Sequence, residues 1–110
     1  DDTDKNGRTA LMAAAGYGHT KTVEVLLERG ATANMKDTSG RTALMRSAQW
    51  DFKETTEALC QGGADVNDTD NAPKDVTPKR GHTALSLAEE GGHESVVKVL
   101  TEAKANLDKN

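Results

Sequence analysis

Apolar residues in this chain come in short clusters at helical spacing, set apart by Gly, Asn and Asp. Val23, Leu26 and Leu27 lie at i, i+3 and i+4, and Val96, Val97 and Leu100 form a similar stripe, the spacing of a helix with one buried face. Ahead of each stripe runs a shorter Ala-rich stretch opened by a threonine. Thr9, Thr42 and Thr83 stand where a hydroxyl can accept a bond from an orphaned helix N–H. Gly18 and Gly92 suit the left-handed turn between the two stretches, because glycine carries no Cβ penalty there. Gly30 and Gly63 close the second stretch, and the residues that follow carry turn chemistry rather than strand alternation. The pattern predicts pairs of short helices, each pair followed by an extended turn.

The pattern repeats. Asp4-Lys5-Asn6-Gly7-Arg8-Thr9-Ala10-Leu11-Met12 returns 33 residues later as Asp37-Thr38-Ser39-Gly40-Arg41-Thr42-Ala43-Leu44-Met45. A third copy, Gly81-His82-Thr83-Ala84-Leu85, follows Gly40 by 41 residues and so carries eight extra residues between Asp70 and Gly81. The frame predicts one domain over residues 1–110, with repeats at about 4–36, 37–69 and 70–110.

Composition fits such a stack. Nine Leu, seven Val and one Phe make 17 strongly apolar residues among 110, about 15%, while Ala contributes 15 and Gly ten. A core built from so many small residues disfavours a deep sandwich or barrel. Fourteen basic against 18 acidic residues give 14 − 18 = −4, which disfavours a generic nucleic-acid binder. No apolar run approaches a membrane span and no signal segment is present. The single Cys60 gives no hint of an oxidising compartment. The expectation is an intracellular, cytoplasmic, monomeric chain. It starts on Asp1 rather than Met, which suggests a piece of something longer.

The repeated residues resemble the ankyrin repeat. The family pattern Asp-x-x-Gly-x-Thr-Pro-Leu-His-x-Ala-Ala-x-x-Gly-His, with a Leu-Leu-x-x-Gly-Ala close, is matched nearly in full from Asp4 to Asn34. The resemblance implies an all-α fold, a solenoid of stacked helix-turn-helix units with projecting β-turn fingers. Each unit would be stabilised mainly by its neighbours. Ala10, Ala43 and Ala84 replace the family's Pro, and Met12, Met45 and Ser86 replace its His, so the usual Thr–His bonds are expected to be missing. Ser47, Asp51, Phe52, Thr56 and Cys60 suggest a weaker or repacked middle repeat. Glu89, Thr101 and Lys104 stand where the first repeat has Ala15, Leu27 and Gly30, which suggests a solvated outer face.

Candidate chemistry is sparse. His19 and His93 share one place in the repeat, an inter-helix turn, and His82 takes the finger position of Arg8 and Arg41. No His or Cys group has ligand spacing, and no Gly-rich loop has phosphate-binding spacing. Cys60 reads as a small core residue. No enzymatic activity, cofactor or metal is expected.

In ankyrin-like proteins the finger tips and the concave side of the first helices commonly read partners. That implies a contact face of Lys5, Arg8, Tyr17, Arg41, Gln49, Trp50 and His82, with Lys74, Lys79 and Arg80 from the insertion. Tyr17 and Trp50 share a register position, and Trp, Tyr and Arg dominate interface hot spots. The rings either anchor a partner, the reading preferred here, or cover the groove between repeats. Phe52 reads as packing. The Pro-containing insertion suits recognition as well as it suits a neutral loop. The basic residues tilt this face towards an acidic protein or peptide partner. The alternative is a structural spacer within a longer repeat protein, with recognition or catalysis elsewhere.

Overall fold

The threonines begin the inner helices. In the computed structural model, which describes residues 2–71 and 81–108, α1 (Ala10–Gly16), α3 (Ala43–Gln49) and α5 (Ala84–Glu90) each follow a capping threonine. The hydroxyls of Thr9, Thr42 and Thr83 accept from the amides of Met12, Met45 and Ser86 at 3.2, 3.4 and 3.1 Å. In α5 the bond is reciprocated, because the Ser86 hydroxyl accepts from the Thr83 amide at 2.9 Å. The third repeat thus recovers with serine the return bond that the absent histidine was expected to cost it.

A tight turn leads each inner helix into an outer one: α2 (Thr20–Glu28), α4 (Lys53–Gln61) and α6 (Glu94–Asp108). Gly18 and Gly92 hold φ of +72° and +70° in that turn, and Asp51 takes the same place at +64°. Each inner helix packs on its own outer helix, and each layer packs along its length: α1 on α3 on α5, and α2 on α4 on α6. The described residues contain six helices and no strand.

The core is thin and repeated. Ala15, Ala48 and Ala88 are fully buried, as are Val23, Leu59, Val96 and Leu100, and the small alanines let neighbouring inner helices approach closely. The middle repeat is repacked with hydroxyls. The hydroxyls of Ser47 and Thr56, both fully buried, lie 2.9 Å apart, and each also lies within hydrogen-bond distance of a backbone carbonyl, Leu44 or Phe52. One therefore donates to its carbonyl, and the other donates either to its own carbonyl or to its partner hydroxyl. Thr20 and Thr55 share another at 2.7 Å between α2 and α4.

The fingers are built by aspartates. Asp4 accepts from the amides of Asn6 and Arg8, Asp37 from those of Ser39 and Arg41, and Asp70 from that of His82. Successive fingers join through single backbone bonds, Thr38 to Asn6 at 3.0 Å and Asn71 to Ser39 at 3.1 Å. Glu89, Thr101 and Lys104 are exposed on the third repeat, as their polarity suggested.

Candidate binding face

Tyr17 and Trp50 terminate α1 and α3, each just ahead of the left-handed residue that turns the chain away. That turn leaves the rings outside the core, 75% and 57% exposed respectively. They stand at an open groove of about 840 Å³ whose other lining includes Ala10, Ala13, Gly16, Phe52, Arg8 and Arg46. Small residues on α1 leave room, and aromatic residues and cations border it. The Tyr17 ring also stacks on His19, with centroids 6.1 Å apart.

Phe52 both lines the groove and packs. A Cβ at Gly18 would lie 2.7 Å from its ring, so glycine is required at 18 by contact as well as by backbone angle. The ring stacks on the first repeat as its position suggested.

The two arginines of the groove differ. Arg46 is half-buried and ion-paired with the buried Asp37 carboxylate. Burial works against ionisation of Asp37, but the Arg46 guanidinium and the amides of Arg41 and Ser39 outweigh it and hold the carboxyl below the usual carboxylate range. Arg8 is exposed and its side chain has no ion-pair partner among the described residues. Asp4, beside it, is also lowered, chiefly by the backbone N–H groups of Arg8 and Asn6.

Three other predicted contact residues turn inward. Arg41 donates from Nε to Asp70 at 3.2 Å and from Nη1 to the Gln49 side chain at 2.7 Å. His82 Nδ1 lies 3.3 Å from the same Asp70 carboxylate, and its Nε2 lies 3.4 Å from Glu90. The Gln49 backbone carbonyl accepts from His93 Nε2 at 3.0 Å, which links the second repeat to the third. Arg41 and the Gln49 backbone thus join the second repeat to the third, the Gln49 side chain steadies Arg41, and His82 steadies Asp70 within the third repeat, beside a hollow of about 190 Å³ that Arg41, Asp70 and His82 line. The repeat register identified Arg41, Gln49 and His82, but Asp70 went unremarked. The signal for it was the recurrence of Asp4, Asp37 and Asp70 at one position. Lys5 is exposed at the first finger. Lys74, Lys79 and Arg80 lie outside the described residues.

The groove presents aromatic rings, small side chains and two arginines. Among the described residues no group of three His, Cys, Asp or Glu side chains could hold a metal. Burial, with Glu57 nearby, pushes the half-buried Cys60 thiol up to about 11, so it stays protonated at neutral pH. No described helix is long and apolar enough to cross a membrane.

A family model described as ankyrin repeats (3 copies) matches residues 1–70, and one described as ankyrin repeat matches residues 80–110. No curated protein matches the chain significantly.

Proposed function

From the premise that this chain belongs to the ankyrin repeat family, whose repeats serve generally as non-catalytic protein-interaction modules, we propose that it binds a protein or peptide segment along the groove between α1 and α3. The observation that carries this reading is the pair of exposed rings, Tyr17 and Trp50, at one groove with Arg8, which has no ion-pair partner among the described residues. Rings that the fold does not bury supply large contact area at little conformational cost when a partner covers them.

The segment's chemistry follows from the lining. A bulky apolar side chain enters over Ala10, Ala13 and Gly16 between the rings, and a carboxylate from the same segment meets Arg8. Arg46 already has Asp37, so Arg8 carries the preference for acid. Lys5 adds positive charge beside it. Arg41 contributes by holding the second and third repeats in register through Asp70, with Gln49 steadying Arg41 and His82 steadying Asp70.

Selection from a random-peptide library tests this. Enriched peptides should combine a large apolar residue with Asp or Glu. Tyr17→Ala and Trp50→Ala should each weaken binding by about 10-fold or more, and the melting temperature should stay within about 2 °C, because little buried area is lost. Binding that falls only in step with folding would mean the rings serve the stack. Arg8→Ala should remove the preference for acidic peptides and flatten the salt dependence.

A further inference from the structure

We propose that Arg46 is a positioning residue of the groove: by occupying the Asp37 carboxylate it frees the Arg8 side chain for a ligand's acid. The repeat register shows where Arg8 would otherwise go. Arg41, its counterpart one repeat on, reaches the next finger's aspartate, donating from Nε to Asp70 at 3.2 Å, and is held a second time by the Gln49 side chain at 2.7 Å. The matching positions for Arg8 are Asp37 and Gly16. Neither holds it. Asp37 Oδ2 accepts from Arg46 instead, and Gly16 has no side chain to offer.

Two departures from the repeat produce this arrangement. Position 46 is Ala13 in the first repeat and Leu87 in the third, neither of which can pair with a carboxylate. Gly16 leaves room for the arginine. A Cβ there would already stand 3.9 Å from the Arg46 Cβ, so a side chain as long as that of its counterpart Gln49 would crowd the arginine stem. Arg46 is thus half-buried against the buried Asp37, while Arg8 stays exposed.

The two arginines compete for one oxygen. Asp37 Oδ1 is already taken by the amides of Ser39 and Arg41, and a second guanidinium on Oδ2 would bring two full positive charges together. Arg8 is left at the groove with no ion-pair partner among the described residues. A preference for acid that Arg8 expresses is therefore set by Arg46. Its effect on ligands rests on the groove reading above, but the competition for Asp37 does not, so the two can fail separately.

Urea unfolding of the full chain tests the competition without a ligand. Arg8→Ala should leave the parent's unfolding constant within about 2-fold. In an Arg46→Leu background, with leucine as in the third repeat, the same change should raise that constant about 3-fold or more, because Arg8 then holds Asp37. Exchange of the Arg8 Nε–H, followed by NMR, should slow at least about 10-fold in Arg46→Leu and return to the parent rate in Arg46→Lys, which keeps a cation on Asp37. The probes for the consequence are a library-selected acidic peptide and its carboxamide analogue. The parent and Arg46→Lys should prefer the acid by about 5-fold or more, and Arg46→Leu should reduce the preference to about 2-fold or less although Arg8 is still present. If Arg8→Ala changes nothing in Arg46→Leu and Arg8 exchange is unaltered there, the proposal is overturned whatever the peptide does. A preference lost without any change in Arg8 exchange overturns it too, since Arg46 would then act through its own charge. Failure to select any acidic peptide counts against the groove reading alone, and the unfolding and exchange measurements still decide the role of Arg46.

Discussion

Single residues in this chain depart from the repeat in ways that have measurable costs. Asp51 occupies a left-handed position that its two counterparts fill with glycine. Non-glycine residues are strained there, aspartate less than most. Asp51→Gly should therefore raise stability by about 0.5–1 kcal/mol, read by chemical denaturation, with the exposed carboxylate's 3.8 Å approach to His93 too weak to offset it. Asp37 works in the opposite direction. Its folded pKa lies below its unfolded value, so its ionised form stabilises the fold at neutral pH, and that contribution fades as pH falls through the folded pKa. Asp37→Ala should cost about 2–4 kcal/mol at pH 7 because it leaves Arg46 half-buried and unpaired. The difference between variant and parent should begin to shrink as pH falls below the unfolded carboxylate value of about 3.9 and should vanish only below the lower folded value, where the parent loses its carboxylate. At Cys60, alkylation by a thiolate-selective reagent at pH 7.5 should be slow in the folded chain and rise many-fold on unfolding, since about 11 is far above the assay pH.

At the scale of the element, the middle repeat shows how a helix pair can replace an apolar contact with a hydrogen-bonded one. Ala14 and Val23 of the first repeat become Ser47 and Thr56 in the second. Because both hydroxyls are satisfied, the swap is repacking rather than damage. Restoring the apolar pair by Ser47→Ala together with Thr56→Val should be neutral or stabilising by up to about 1 kcal/mol. A double-mutant cycle in urea should find the two hydroxyls coupled by about 0.5–1.5 kcal/mol. The same scale shows what was legible beforehand. Helix starts could be read from threonine because capping is local chemistry, decided within three residues. The turn residues could be read from Gly18 and Gly92 for the same reason. What Arg41, Gln49 and His82 do could not, because Arg41 and His82 converge on Asp70, 29 and 12 residues away, and Gln49 is held by Arg41 in turn. Register marks which residues share a face, but it does not say whether a cation on that face will meet solvent or a neighbouring carboxylate.

For the molecule as a whole, the scarcity of large apolar residues is answered by architecture. Alanine layers repeat from one helix pair to the next, so no wide interior needs filling, and the described residues still reach a radius of gyration of 13.2 Å, about that of a compact domain of similar length. The proposed binding face divides accordingly. Tyr17, Trp50 and Arg8 project from this frame, while Arg41 and Asp70 form one of its joints. That division sets how such a chain can diversify. Residues 5, 8, 17 and 50 can be exchanged for other side chains with little effect on the stack, so new partners can be acquired there by single substitutions. Change at 41 would loosen the contact with the third repeat and would need a compensating change at 70. Specificity is thus free to drift quickly at a few tips while the joints change only in pairs.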